Sequence, residues 1–406
     1  MKCFYKFTSL ILFFLGIHFS FAQPWPFTGV PAEENTVLDK IRTFAEQGEK
    51  EKMFQELNYF NDHPESAYSR QLKNFQGGFN RTDPKIEMGI SLFYEEEYEK
   101  AMKIAEEFLK ENPGNIKALE LHALARAYIE PKKSVEECDS VLYWIPFYPS
   151  FLSVKGTAYH NLGEKKEAIR IYTIYTKFKQ DAEIYNRRGM SYQDLGMYED
   201  AIGDYTESIR LDPTSGNKSY LNRAGVYYEL GEYEKAKSDC AIFLKSGIAK
   251  NLTLTLLVFI YNAQDDYKKS LEYANRIIEL YPNAVDGYYS RGWTYYNLGK
   301  YKKALKDCDK AIEMNSKFFE SYWIRSYVYR KLGEFEKALT DANCAVEYAG
   351  DSFISKRTSY KARALCYLEA NQKENALVDL ERALEFSTAE SERAEIQALI
   401  QKVKGL

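Results

Sequence analysis

Residues 285–318 read VDGYYSRGWTYYNLGKYKKALKDCDKAIEMNSKF, and this stretch decides the fold. Tyr288, Gly292 and Tyr295 recur at spacings of four and three, which puts them on one face of a helix. Asn297-Leu298-Gly299-Lys300 ends that helix, with Gly299 suited to a left-handed cap. Tyr301 begins a second helix whose inner stripe is Ala304, Leu305, Cys308 and Ala311. Small Gly292 and Ala304 let the two helices approach, and bulky Tyr295 and Tyr301 fill the space that is left.

The same unit recurs along the chain. Small residues at Ala168, Ala201, Ala236, Ser270, Ala304, Ala338 and Ala376 are separated by 33, 35, 34, 34, 34 and 38 positions. A Leu-Gly pair keeps the same register at Gly163, Gly196, Gly231, Gly299 and Gly333. Tyr198, Tyr233, Tyr301 and Phe335 follow the glycine by two. A Tyr-x-x-Arg-small signature stands earlier in the unit, at 185–189, 220–224, 288–292, 322–326 and 360–364. Pro113, Pro213 and Pro282 stop the second helix of their own units. A period of 20–50 residues signals a stacked array rather than separate globular cores.

These motifs resemble the tetratricopeptide repeat (TPR) family over about 82–390. The resemblance implies an all-α, right-handed α-α superhelix of about nine helix-turn-helix repeats. Units near 82–115, 182–216, 217–250, 285–318 and 319–352 carry the pattern strongly, and 149–181 carries it well. The unit at 251–284 keeps Tyr267, Ala274 and Pro282 without the glycine turn. That at 357–390 has Asn371 for the glycine. The unit at 116–148 reads as degenerate, with Pro131, Pro146 and Pro149 expected to disturb it.

Length and composition are consistent with this reading. A chain of 406 residues predicts two to four ordinary domains at roughly 100–200 residues each, but repetition accounts for the length with one stack. The 45% hydrophobic and 28% charged content excludes a disordered chain. The balance of 55 basic and 59 acidic residues argues against a nucleic-acid-coating protein. Tyr is in excess, at 34 against 24 Phe and 4 Trp, because each unit asks for several.

The flanks are read separately. Residues 1–22 are expected to be a secretory signal peptide: Lys2 and Lys6 precede an apolar run centred on Leu10 to Leu15, and Ser20-Phe21-Ala22 supplies the cut site. The run is shorter than the ~20 residues of a spanning helix. An exported protein of bacterial type follows, periplasmic or secreted, with no stable membrane span after cleavage. Residues 23–34 form an extended leader, since Pro24, Pro26 and Pro31 oppose a helix. Residues 35–81 form a helical extension, with a further helix expected at 66–75 and an irregular connector at 77–84. Residues 391–406 form a capping helix, with Ile396, Leu399, Ile400 and Val403 on its inner side. The five cysteines after the signal, Cys138, Cys240, Cys308, Cys344 and Cys366, are odd in number and widely spaced, and read as small buried hydrophobes.

No catalytic, cofactor or metal constellation emerges. His63, His122 and His160 lack ligand spacing, and neither a phosphate-binding glycine loop nor a Gly-x-Ser-x-Gly element occurs. Runs such as Glu95-Glu96-Glu97 read as solvated faces. Arg188, Arg223, Arg291, Arg325 and Arg363 are expected to pair with acids of an adjacent helix, such as Asp204, Asp239, Asp307 and Asp341.

The resemblance makes binding the default function, because in this family the first helix of each unit lines the concave surface. One subfamily clamps a C-terminal carboxylate with Lys, Asn and Arg. Here Asn222 has a clamp-like place, but Asn186, Met190, Leu252 and Leu256 stand where its partners would be. The family's geometry instead projects Phe259, Tyr289, Trp293, Tyr296, Trp323 and Tyr327 into the groove, with Asp286, Glu320, Arg330 and Lys361 as a polar rim. Aromatics at this density suit a peptide segment or helix of a protein partner. The expected function is a non-enzymatic protein-protein interaction scaffold of the cell envelope, without nucleic acid and with self-association open. The alternative is an accessory or carbohydrate-binding module of a cell-envelope enzyme or glycan system.

Overall fold

The computed structural model describes residues 30–405, apart from 48, 64, 67, 70–82, 113, 147, 351–352 and 388–389. The signal segment, residues 23–29 of the leader, the connector up to 82 and most of the helix expected at 66–75 lie outside the described residues. The last leader residues, 32–34, are not extended but begin a helix, because Pro31 precedes that helix rather than interrupting it. The described residues are all-α, with twenty-one helices and no strand. They divide into two compact units, one through Lys179 and one from Gln180.

In the first unit the helices are α1 (Ala32–Gln47), α2 (Lys50–Asp62), α3 (Pro84–Tyr94), α4 (Tyr98–Glu111), α5 (Ile116–Ile129), α6 (Pro131–Trp144), α7 (Pro149–Asn161) and α8 (Lys165–Phe178). In the second they are α9 (Ala182–Asp194), α10 (Tyr198–Leu211), α11 (Ser219–Glu229), α12 (Tyr233–Leu244), α13 (Lys250–Ala263), α14 (Tyr267–Leu280), α15 (Val285–Asn297), α16 (Tyr301–Met314), α17 (Phe319–Leu332), α18 (Phe335–Tyr348), α19 (Phe353–Glu369), α20 (Lys373–Glu385) and α21 (Glu390–Lys404). Within each unit consecutive helices pair, as in a TPR solenoid.

Each pair is built as its sequence demands. Gly299 caps α15 with φ +69, and the other Leu-Gly turns also have positive φ. Ala304, Cys308 and Ala311 are fully buried on α16. A Cβ on Gly292 would stand 3.3 Å from Cys308 Sγ and 3.5 Å from the Ala304 carbonyl, so the glycine is what allows this close crossing. Cys138, Cys240, Cys308 and Cys366 are buried, Cys344 is partly exposed, and all five are free thiols. Burial pushes the thiols of Cys240 and Cys366 up to about 12.

One expectation about the repeats is corrected. The 116–148 unit is no broken repeat: α5 and α6 form an ordinary pair, because Pro131 and Pro149 sit in the first turns of α6 and α7, where no backbone N–H is needed. The missing glycines also leave the turns intact. Asp265 and Asn371 adopt the left-handed conformation at φ +58 and +57, which short polar side chains tolerate. At the C-terminal end α21 buries Ile396 and Ile400 against Ala364, Leu380 and Ala383, which closes the apolar face of the last pair.

Candidate functional site

Five arginines bind their units together in the second unit. Arg188, Arg223, Arg291, Arg325 and Arg363 each make a two-pronged bond to an aspartate sixteen positions on: Asp204, Asp239, Asp307, Asp341 and Asp379. A further guanidinium nitrogen reaches the preceding pair's second helix in four of them. Arg223 donates to Thr206, Arg291 to Asn275, Arg325 to Asp309 and Arg363 to Asn343. Each guanidinium also lies 5.3 to 6.0 Å from two flanking tyrosine rings, such as Tyr288 and Tyr295 around Arg291. Burial works against the charge on Arg325, and the bonds to Asp341 and Asp309 outweigh it, so its pKa lies above the usual range. These arginines are structural staples, and they explain much of the tyrosine excess.

The first helices carry the candidate groove. Phe259 stands on α13; Asp286, Tyr289, Trp293 and Tyr296 on α15; Glu320, Trp323, Tyr327 and Arg330 on α17; and Lys361 on α19. The structure brings most of the aromatics into one cluster. The Trp293 ring is 5.0 Å from Trp323 and 5.2 Å from Tyr296, and Tyr327 meets both tryptophans edge-on. These four rings are partly buried against one another. Burial pushes the Tyr327 hydroxyl up to about 12 and raises that of Tyr296. Tyr289 departs from the expected projection. It is 8% exposed and belongs to the core between Phe259, at 5.9 Å, and Phe318, at 4.9 Å. Its phenol is raised well above the usual value, by burial first and by the nearby carboxylates second.

The polar rim divides by sign. Arg330 is held by Glu369 at 2.9 and 2.8 Å, and Lys361 by Glu395 of α21 at 2.7 Å. Asp286 accepts from Asn251 Nδ2 at 3.2 Å. Burial, reinforced by the charge of Asp286, pushes the Glu320 carboxyl up to about 7.

A cleft of about 300 Å³ opens beside the aromatic cluster. Trp293, Trp323 and Tyr327 form one wall, Arg357, Thr358 and Lys361 of α19 a second, and Glu392, Glu395 and Ile396 of α21 a third. Arg357 is the residue that sequence reasoning missed. It donates to Glu392 at 2.6 Å and to Glu229 of α11 at 3.5 Å. Glu229 and Arg357 are 128 positions apart, so no local signal could have paired them. Their meeting shows that the row of first helices in this unit curls inward. Burial raises the Glu229 carboxyl, and Arg357 draws it only part of the way back. The clamp-like Asn222 donates to Asn186 at 2.9 Å, and Leu252 is half-exposed with no basic group in its place. Among the described residues no cluster of acids, histidines and cysteines fits a metal ion. No described helix is long and apolar enough to cross a membrane. The chemistry on offer is an aromatic wall edged with internally paired charges, which suits recognition.

Comparison with known proteins agrees with this architecture. Residues 182–215 and 285–318 match one model described as tetratricopeptide repeat, and 218–241 match another. The translocon at the outer membrane of chloroplasts 64 from Pisum sativum is 35% identical over 103 residues, covering 23% of this chain and 17% of that protein. The photosystem I assembly protein Ycf3 from Acaryochloris marina is 30% identical over 113 residues, covering 28% of this chain and 49% of that one. The chain thus spans less than half the length of either relative. Human IFIT1, solved as a dimer with PPP-AAAA, aligns over 78% of this chain and 79% of its own at 14% identity and a TM-score of 0.51, a likeness of fold alone. The chain carries tetratricopeptide repeats and has the fold of a TPR solenoid.

Proposed function

We propose that the chain is a non-enzymatic scaffold that takes a protein segment, extended or helical, against the first-helix face of α13, α15, α17 and α19. The observation that carries this is the cluster of Trp293, Trp323, Tyr296 and Tyr327 beside an open cleft. The repeat pattern does not ask for these tryptophans, and aromatic anchors in a cleft are the usual source of binding energy at interfaces. The names of the relatives, a translocon component and an assembly protein, are in keeping with an adaptor role. The signal-like pattern of residues 1–22 supports a site of action outside the cytoplasm, in the cell envelope.

Photo-crosslinking from position 296 in the native host should capture one dominant protein. Trp293→Ala with Trp323→Ala should then weaken its binding at least tenfold while the helical content stays intact. Unchanged affinity would sink the proposal, and selective binding to a glycan array would replace it with carbohydrate recognition by the same rings.

A further inference from the structure

His122 occupies the place of a staple arginine. It is the seventh residue of α5, as Arg188, Arg291 and Arg325 are the seventh of α9, α15 and α17. Its Nδ1 lies 2.7 Å from Glu137 Oε1 on α6, and its Nε2 lies 3.3 Å from Glu106 Oε1 on α4. Glu137 stands where the staple aspartate does, on the second helix of the same pair. Glu106 stands sixteen positions before His122, as Asn275 and Asp309 stand before Arg291 and Arg325. The whole three-helix staple is thus reproduced, with imidazole in place of guanidinium.

The substitution changes its chemistry. A guanidinium keeps its protons at any ordinary pH, whereas histidine changes charge between about pH 5 and 8. Ionised carboxylates only accept hydrogen bonds, so a ring facing one on each nitrogen must donate from both, which only the imidazolium does. His122 is 1% exposed and Glu137 3%, so water does not replace the bond between them, while Glu106, at 39%, keeps one side in solvent. The other charged groups around the ring are Arg126 on its own helix and Glu130 just past that helix's end. Arg126 donates to Glu137 Oε2 at 3.1 Å and pairs with Glu106 at 3.8 Å and Glu130 at 3.7 Å. Arg126 would stay with the carboxylates when the ring loses its proton, but the bond from His122 to Glu106 would not survive. Among the described residues His122 is the only buried histidine.

We propose that His122 makes the 116–148 pair a pH-sensitive joint, whose second ring proton ties α4 and α6 to α5 and whose loss loosens them. Amide hydrogen exchange of the full chain, corrected for intrinsic rates, is the test. Protection of α5 and α6 should fall about tenfold between pH 6 and pH 8.5, the scale of one charge-assisted bond. Helices α15 to α18, stapled by arginine, should not share the fall. In His122→Arg the local fall should vanish. Equal loss in the variant, or no loss in the natural chain, would overturn the proposal. If the variant does not fold, the ring proton of His122 followed by NMR in the natural chain decides it. Amides of α5 and α6 must shift along the same titration curve as the ring, and a ring that titrates alone refutes the joint.

Discussion

Arg325 and Asp341 stand sixteen positions apart, on the two helices of one repeat, and meet through bonds of 2.7 and 2.8 Å. Asp341 is almost fully buried and Arg325 largely so. Burial pushes the Asp341 carboxyl above its ordinary value, and the guanidinium recovers only part of that. The pair therefore matters most when it is broken. Arg325→Ala should lower stability by about 3 kcal/mol, because it strands a buried carboxylate. Arg325→Leu with Asp341→Leu should cost clearly less than either change alone. Urea midpoints of the four proteins check this, and simple additivity of the two losses would contradict it.

Gly189 lies against Tyr205, and a Cβ there would stand 2.7 Å from the ring. Tyr205 is fully buried, with its hydroxyl donating to Gln193 at 2.7 Å, so the ring has nowhere to move. Gly189→Ala should destabilise the second unit by about 1–3 kcal/mol. Adding Tyr205→Leu should recover part of the loss of Gly189→Ala. Thermal melts of the single and double variants decide between this clash and a plain gain of helix propensity, which would favour alanine.

Glu320 gives the candidate groove a pH dependence. Its folded carboxyl is pushed up to about 7, above the usual value near 4.5. A raised carboxyl penalises the folded state only when ionised. The penalty is absent below about pH 4, grows as pH rises and is complete above about pH 7. Glu320→Gln should therefore match the natural chain at pH 4 and exceed it at pH 8, by on the order of 2 kcal/mol. Denaturant titrations at the two pH values measure this, and an equal gain at both would exclude titration as its source.

Arg357 tests the contact that curls the first-helix row. Removing it leaves Glu229 buried without its cation, and Glu229 is already raised by burial. Arg357→Ala should cost about 2–4 kcal/mol at pH 7. The loss should shrink toward pH 4, where the carboxyls of Glu229 and Glu392 take up protons in any case. Stability of the variant as a function of pH checks this, and a pH-independent loss would assign Arg357 to packing alone.

Much of this molecule was legible residue by residue. The Leu-Gly turns, the close crossing at Gly292, the buried cysteines and the Arg–Asp pairs follow from spacing, because both partners of each interaction lie within one repeat. The corrections came where a residue's role depends on its place in a helix. Pro131 and Pro149 read as breakers until they are seen in the first turn. His122 reads as an ordinary helical residue until α4 and α6 bring Glu106 and Glu137 to its two nitrogens.

The candidate groove shows the limit more sharply. The list of first-helix aromatics is present in the sequence, but which of them face outward is not. Tyr289 and Trp293 are neighbours on one helix; Phe318 closes over the first, while the second borders the cleft. The basic rim likewise looked free until Glu369 and Glu395 were seen to hold Arg330 and Lys361. The sequence alone determined the repeat, its helix pairs and its internal staples, since those contacts span about sixteen positions and recur in register. Only the tertiary structure decided the partnership of Glu229 with Arg357 and the exposure of each groove ring. Both depend on how small rotations between successive pairs add up over several repeats, and no single repeat encodes that sum.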